Sequence, residues 1–421
     1  MAFQDIRKSR KWLSAEEIRL LAIVLLIVTG LVALNIVLAR SLPGGEWFFL
    51  RWSGARAFLI EQISPYSTEI AQRVQELAYG RRAFSSEYAF VLNDPFYIVL
   101  LYTPLALFRD FTIARGIWML VSEAALVGTV LFAFNLSEWQ PPRWLYIFLL
   151  GFGLFSYFSL NALITGTPAI MLNFLYLCIL LAIRSYSDEL AGALLFLVAY
   201  QWEVGALFFL FIMVFIFANR RWNVLAGFGM SLVILVIVSF LVYPGWGLPY
   251  IRAVLSDWYR GANLTFGHIV SVWFPNSRFS IGAIISLILG VIVFLEWLGS
   301  VQAHYRRIVW TASLSLAATP LIGFAIFPSN HVVLIMPLIL ILTLVWERWT
   351  RSRVLMSILI LIIALLVPFG MYIQSVYVYS PLYLDLLSVL PPVATVIGLY
   401  WMRWWVIHSP RTWLDQIGTR R

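Results

Sequence analysis

RSLPGGEWFFLRWSGARAFLIEQISPYSTEIAQRVQELAYGRRAFSSEYAFVLNDP, residues 40–95, is the stretch of this chain that cannot lie in hydrocarbon. It carries Glu46, Arg51, Arg56, Glu61, Glu69, Arg73, Glu76, Arg81, Arg82, Glu87 and Asp94. Before it lies one apolar segment, Leu20 to Leu38; after it, from Pro95 on, almost everything is apolar. Ionisable side chains are expensive inside a bilayer. The stretch therefore emerges on one side, and a chain with one large polar loop after its first helix presents its working surface there.

Working outward, the composition is 62% hydrophobic and 12% charged, with a mean hydropathy of +0.89. Soluble domains average roughly 45–50% and 25%, so this is a polytopic α-helical membrane protein. A membrane β-barrel would instead alternate polarity within segments of about ten residues. The apolar runs read 20–38, 95–108, 113–136, 146–163, 168–183, 189–200, 203–218, 224–243, 280–299, 308–328, 332–346, 355–373 and 387–402. Several fall short of the roughly 20 residues a crossing needs, which points to tilted, broken or re-entrant helices. The first run, with no small-residue cleavage site after it, reads as a retained helix rather than a signal peptide. The single cysteine, Cys178, lies in an apolar run and excludes an internal disulfide framework.

The net charge of +9 comes from basic residues scattered over short loops and both ends, and is no nucleic-acid signal. It reports orientation. Arg7, Lys8, Arg10 and Lys11, then Arg220 with Arg221, Arg306 with Arg307, Arg348, Arg351, Arg353, and the tail Arg411, Arg420 and Arg421 are assigned to the cytoplasm. The turns at Gly166, Trp202 and His331 and the loops 40–92 and 244–279 then fall outside. Parity holds only if one run between 95 and 136 does not cross, and 95–108 is the shortest there. The expectation is one membrane domain, 1–421, of about twelve crossings (range about 10–13), both ends inside. Within loop 40–92, Ser67–Tyr79 carries Ile70, Val74 and Leu77 at helical spacing and reads as an interfacial amphipathic helix.

Walker, dinucleotide, zinc and serine-elbow motifs are absent, so chemistry must come from polar groups at the outer face. Asn135-Leu136-Ser137 and Asn263-Leu264-Thr265 fit the short, common glycosylation pattern. Glu46, in Pro43-Gly44-Gly45-Glu46-Trp47, is placed to be a general base or else a solvated loop acid. Asp94 before Pro95 fits a helix cap, with a role toward a metal or a sugar hydroxyl as the alternative. Arg51 and Arg56 offer guanidinium forks for a lipid phosphate or for generic headgroups. His331 can contact phosphate, move a proton, or merely sit at the interface. Glu203 at an outer turn and Glu123 within an apolar run are functional candidates by their cost alone.

These residues, taken in order, resemble a known family. The pieces are Glu46, Ser53-Gly54-Ala55-Arg56-Ala57-Phe58-Leu59, Ser64-Pro65-Tyr66, then Phe96-Tyr97 and Tyr102-Thr103-Pro104-Leu105-Ala106-Leu107. Further on come Thr165-Gly166-Thr167 before Leu172-Asn173-Phe174-Leu175, the hairpin from Leu190 to Gln201-Trp202-Glu203, and Asn330-His331 before Leu334. Together they are similar to the polyprenyl-phosphate-sugar-dependent membrane glycosyltransferases of the GT-C fold, in the bacterial alpha-mannosyltransferase-like branch of the family 87 type. Three positions depart from that pattern: Glu46 stands for the usual Asp, Thr167 for the glutamine of a Gly-Gln turn, and Trp202 lies near the place of a lysine.

The resemblance implies transfer of mannose, another hexose or a pentose from a polyprenyl-phosphate donor to a lipid- or glycan-linked acceptor. It implies a multi-pass plasma-membrane protein active on its extracytoplasmic face. Glu46 would be the base, with Arg51, Arg56, Asp94, Glu203 and His331 at the substrates; a divalent cation is left open, and nucleic acid is no partner. A lipid-glycan flippase would show paired repeats, and the chain has no evident one; a catalytically dead glycolipid-binding relative would explain the missing lysine. The topology is directly testable: a maleimide applied from outside should modify a cysteine placed at Ser67 and spare one at Ser352, and the reverse pattern would overturn the assignment.

Overall fold

The computed structural model describes residues 15–84, 87–261, 264–275, 280–378 and 380–408. The basic head and tail and Asn263 of the sequence expectations lie outside them. Of the described residues 81% are helical, and no strand forms among them. The helices are α1 (Ala15–Ser41), α2 (Glu46–Arg56), α3 (Thr68–Tyr79), α4 (Phe96–Leu101), α5 (Thr103–Ala106), α6 (Phe111–Leu136), α7 (Arg143–Phe155) and α8 (Tyr157–Thr165). Next come α9 (Ala169–Arg184), α10 (Asp188–Val198), α11 (Trp202–Ala218), α12 (Trp222–Val242), α13 (Gly247–Gly261), α14 (Phe266–Trp273) and α15 (Ile281–Ser300). The series closes with α16 (Tyr305–Ala318), α17 (Ile335–Arg348), α18 (Arg353–Val378), α19 (Pro381–Trp401) and α20 (Arg403–Ile407).

Among the described residues, seven helical segments are long and apolar enough to cross a membrane, and eight if the bent pair α7–α8 counts as one span. The protein is a multi-pass membrane protein. Helices α9 and α11 are apolar but shorter, at 16 and 17 residues. The core is built on α16 and α17: every residue from Ile308 to Ala318 and from Ile335 to Val345 except Leu338 is buried. Helix α1, by contrast, leaves Leu20–Leu26 bare and packs mainly along α6. There Asn35 donates to Glu123 at 3.1 Å, a polar link of the kind that joins helices where hydrophobicity cannot.

Contacts sort the loops into two ends. At one, Arg184 pairs with Glu138 at 2.6 Å and Arg306 with Glu347 at 2.6 Å, while Asn219 donates to the Val301 carbonyl at 2.9 Å. Glu296 gathers Arg403 (2.7 Å) and Arg307 (3.7 Å) at that same end. At the other end, the Trp47 ring meets Phe327 at 5.3 Å, Asn93 donates to Asp257 at 2.8 Å, and His331 bonds to the Ser388 carbonyl at 2.7 Å. The long polar loops thus converge at one end of the bundle.

The run 95–108 breaks into α4 and α5, of six and four residues. At about 1.5 Å per residue they reach roughly half of a 30 Å core. Pro104 in the first turn of α5 enforces the break, because it cannot donate to the preceding turn. Asp94 is not the cap of α4. Pro95 holds the N-cap position with no side-chain cap, and the Asp94 carboxylate turns to Arg51 instead. A buried guanidinium outcompetes a helix end for a carboxylate, since leaving either ion unpaired would cost far more.

Helices α10 and α12 touch backbone to backbone. A Cβ added at Gly192 would lie 1.9 Å from the Val224 carbonyl oxygen, and one at Gly227 would lie 2.1 Å from that of Glu189. Small residues permit this approach, and backbone cannot yield as a side chain can. Gly192→Val should therefore destabilise the purified protein by about 1–3 kcal/mol or more, seen as a lower thermal midpoint or loss of the monodisperse species. Gly151→Val, where an added Cβ meets nothing within 4 Å, is the control. An unchanged midpoint in Gly192→Val would mean that the two helices are not so close.

Candidate functional site

The site begins at a turn. Gly44 and Gly45 have φ of 105° and 89°, a region that glycine enters freely, and they aim Glu46 into the first turn of α2. What holds this turn is Arg115 of α6, which is buried. Its guanidinium donates to the carbonyls of Ala39 (3.1 Å), Leu42 (3.0 Å), Pro43 (3.2 Å) and Ile164 (2.8 Å). Three of these lie at or just past helix C-termini, where carbonyls lack intrahelical partners and a cation is favoured. Gly166 closes α8 with φ 72° and leaves only 2.6 Å between a would-be Cβ and the Phe48 Cβ, so the α8–α9 turn is pressed directly onto α2. Burial pushes the Glu46 carboxyl above its ordinary range, while its own backbone N–H and Arg115 pull it part of the way back.

Beside α2, the loop before α4 builds a wall. Arg51 and Asp94 form a buried fork, Nε to Oδ2 at 2.7 Å and Nη2 to Oδ1 at 3.1 Å, and Nη1 donates to the Trp47 carbonyl at 2.9 Å. Tyr66 Oη adds a bond to the Asp94 carbonyl at 2.9 Å. Trp47, Tyr79 and Tyr88 pack around Phe90 at 5.2–5.8 Å between centroids. Phe90 itself has φ 48°, a strained setting for a bulky residue that the surrounding rings hold in place. The Tyr88 hydroxyl donates to Asp257, and Asn93 donates to the other oxygen of that carboxylate. Burial, with the Asp257 and Glu203 charges nearby, holds the Tyr88 phenol well above its ordinary range and keeps it a donor.

This wall borders a cavity of about 950 Å³. Its polar groups include Asn93, Asp94, Glu203 and Asp257, and its aromatic ones include Tyr200, Trp202, Tyr250, Trp258 and Tyr259. Among the described residues, no hydrogen bond or ion pair engages the Glu203 carboxylate. A second, apolar groove of about 300 Å³ runs between α7–α8, α17, α18 and α19, lined by residues such as Phe158, Leu338, Pro368 and Trp401, with His331 on its wall. His331 and Glu203 also share a small void of about 10 Å³, so one histidine borders both the groove and the approach to the acids. Because a carbonyl only accepts, the bond to Ser388 places the histidine proton on Nε2 and leaves Nδ1 as the acceptor. Asn173 steadies this turn by donating to the Val332 carbonyl at 3.0 Å.

The candidates from sequence are thus distributed. Asp94 and Glu203 line the large cavity, and His331 lines the groove. Glu46, Arg51 and Gly166 line neither, although Trp47, next to Glu46, reaches the cavity wall through Tyr88 at 5.3 Å. Arg51 is spent on Asp94, and Arg56 donates to the Ala106 carbonyl at 3.1 Å, tying α2 to α5. Glu123 is an α1–α6 link, away from these cavities. Among the described residues, no three His, Cys, Asp or Glu side chains converge as a metal cage. Arg115, Tyr88 and Asp257 were not singled out from sequence. Arg115 carried a usable signal, an ionisable residue in an apolar run, but the Tyr88–Asp257 pair spans far too much chain for any periodicity to show it.

No curated protein and no solved structure matches the chain. The family model that does match covers residues 92–369, more than half of the sequence, and is described as glycosyltransferase family 87. It takes in Asp94, the Gly166 and Trp202 turns, Asp257 and His331, though not Glu46. The chain belongs to glycosyltransferase family 87, and it is a membrane glycosyltransferase.

Proposed function

We propose that the protein transfers a sugar, mannose or another hexose or pentose, from a polyprenyl-phosphate donor to a lipid- or glycan-linked acceptor, on the extracytoplasmic face of the plasma membrane. The observation that carries this is the neighbourhood of two cavities: an acid- and aromatic-lined chamber of about 950 Å³ has Glu203 in its wall, an apolar groove of about 300 Å³ has His331 in its wall, and the two residues meet at one small void of about 10 Å³. Carboxylates suit sugar hydroxyls and flat rings suit the apolar faces of a pyranose. The groove suits an isoprenoid chain. In the proposed topology about twelve crossings, with α9, α10, α11 and α16 among the short ones, put the cationic end inside.

In the reaction the acceptor oxygen bonds to the anomeric carbon as the bond from that carbon to the phosphate oxygen breaks. The acceptor proton passes to a carboxylate, and polyprenyl phosphate leaves with the electron pair. Glu46 is the proposed base. Its carboxyl is half-buried and shifted upward, which brings a base nearer the operating pH, and its neighbour Trp47 packs on Phe327 beside the His331 turn. Arg51 with Asp94 forms the rigid wall, and His331 faces the departing phosphate.

Transfer of labelled sugar from a polyprenyl-phosphate donor by the purified protein tests this. Glu46→Gln should keep donor binding and lose turnover by about 10²–10⁴, and Glu46→Asp should retain part of it. The acid limb of the native pH–rate profile should lie above the ordinary carboxylate range and disappear in Glu46→Gln. Asp94→Asn should lose stability rather than chemistry alone, by about 3–5 kcal/mol, because it strands the Arg51 charge. Native-rate transfer by Glu46→Gln, with a folded but inactive Glu203→Gln, would move the base to Glu203.

A further inference from the structure

Helix α13 is inside out. Its buried face carries Trp246 just before it, then Ala253 and the Asp257 carboxylate. Its outward face carries Leu248, Ile251, Leu255, Trp258 and Tyr259, each between 54% and 86% exposed. These positions recur at the three-, four- and seven-residue spacing of one helical stripe. A helix of this kind facing water would turn Asp257 outward and bury the leucines. Its attachment is polar and aromatic: Asp257 holds Tyr88 and Asn93, and Tyr250 meets Tyr66 at 6.2 Å. A bare stripe of five large apolar side chains exceeds the scattered exposure that needs no explanation.

What covers the stripe follows from its continuity. Helix α12, one of the seven candidate spans, ends only a few residues before α13 and presents Ile237, Phe240, Leu241 and Val242 outward at its near end. The two helices are pinned to each other by the buried Trp246, which packs on Phe240 at 5.4 Å and on Tyr250 at 5.5 Å. Arg252 flanks the same outward face, where a long cation can reach headgroup phosphates while its stem stays apolar. Meanwhile Tyr250, Val254 and Asp257 roof the large cavity, and Trp258 and Tyr259 belong both to the cavity lining and to the exposed stripe. The cavity lining is therefore continuous with an exposed apolar surface.

We infer that α13 is seated in the adjoining membrane leaflet as a lateral gate, and that the acceptor reaches the cavity past Trp258 and Tyr259 on a lipid anchor. The second half rests on the glycosyl-transfer function proposed above and narrows its acceptor to a bilayer-borne one. A headgroup sugar tethered in the leaflet enters at high effective concentration, whereas a glycan free in water meets an apolar stripe.

Two measurements test it. In a Cys178→Ser background, Leu255→Cys carrying an environment-sensitive fluorophore is reconstituted in nanodiscs. Spin labels on the lipid acyl chains should quench it and aqueous iodide should not. Quenching by iodide alone would put the face in water, and protection from both would mean that a second copy or a partner protein covers it; either result overturns the gate. In the second measurement, transfer from polyprenyl-phosphate mannose to hexadecyl mannoside in the nanodisc is compared with transfer to methyl mannoside in solution. The native protein should favour the anchored acceptor by at least about tenfold. Ile251→Glu with Leu255→Glu should shrink that preference while leaving the rate on methyl mannoside unchanged. A native ratio near one overturns the anchored acceptor. Transfer to neither overturns the transfer function and the acceptor half with it, while the quenching arm decides the seat of α13 without any turnover.

Discussion

Everything at the site end depends on one guanidinium. Arg115 donates to four main-chain carbonyls drawn from the end of α1, the turn after it and the end of α8. Helix ends leave such carbonyls without partners, and in a region shielded from water the deficit must be met by protein. A planar fork can serve several acceptors at once, as an ammonium point charge cannot. The cost of burying the charge is offset by carbonyl dipoles that converge on it. The consequence is positional: the Pro43-Gly44-Gly45 turn cannot swing, so Glu46 starts α2 at one place beside the α8–α9 turn.

A second buried cation, Arg51, does the same work for the opposite wall. Its fork to Asp94 joins α2 to the start of α4, and Tyr66 and Trp47 complete the surrounding bonds through main-chain oxygens. With both sides fixed, the aromatic cluster between them can hold Phe90 in a strained backbone setting. That rigidity is what a transferase site asks for, since a misplacement of about 1 Å can cost a hundredfold in rate. The two arginines thus convert a long polar loop, which would otherwise be mobile, into part of the bundle.

How much of this was legible in the chain follows from distance along it. The all-α membrane class, the polar loop, the amphipathic α3 and the shortness of the run 95–108, which breaks into two small helices, all rest on local pattern, and local pattern is what a sequence displays. Asp94 looked like a cap because the nearest helix start was its only visible partner; its true partner lies 43 positions away. Tyr88 and Asp257 are separated by 169 positions, and no spacing rule connects them. Arg115 differs, because a charged residue in an apolar run is itself a signal. The same rule that raised Glu123 applies to it, and Arg115 is the one the site is built on.

Two helices at the site end carry opposite polarity, and the contrast orients the whole cavity. Helix α3 buries Ile70 and Val74 and turns Glu69 and Glu76 outward, as a helix between protein and water must. Helix α13 buries Asp257 and turns leucine, isoleucine and aromatic rings outward. Helix α3 packs on α2 behind the loop that carries Asn93 and Asp94, whereas α13 lines the chamber itself, so the site end presents a polar surface at one place and an apolar one at the chamber. A reactant with a sugar head and a lipid tail has this same division. The polarity of the two helices thus matches the polarity of the molecules that the family's chemistry joins, and it does so independently of which carboxylate takes the proton.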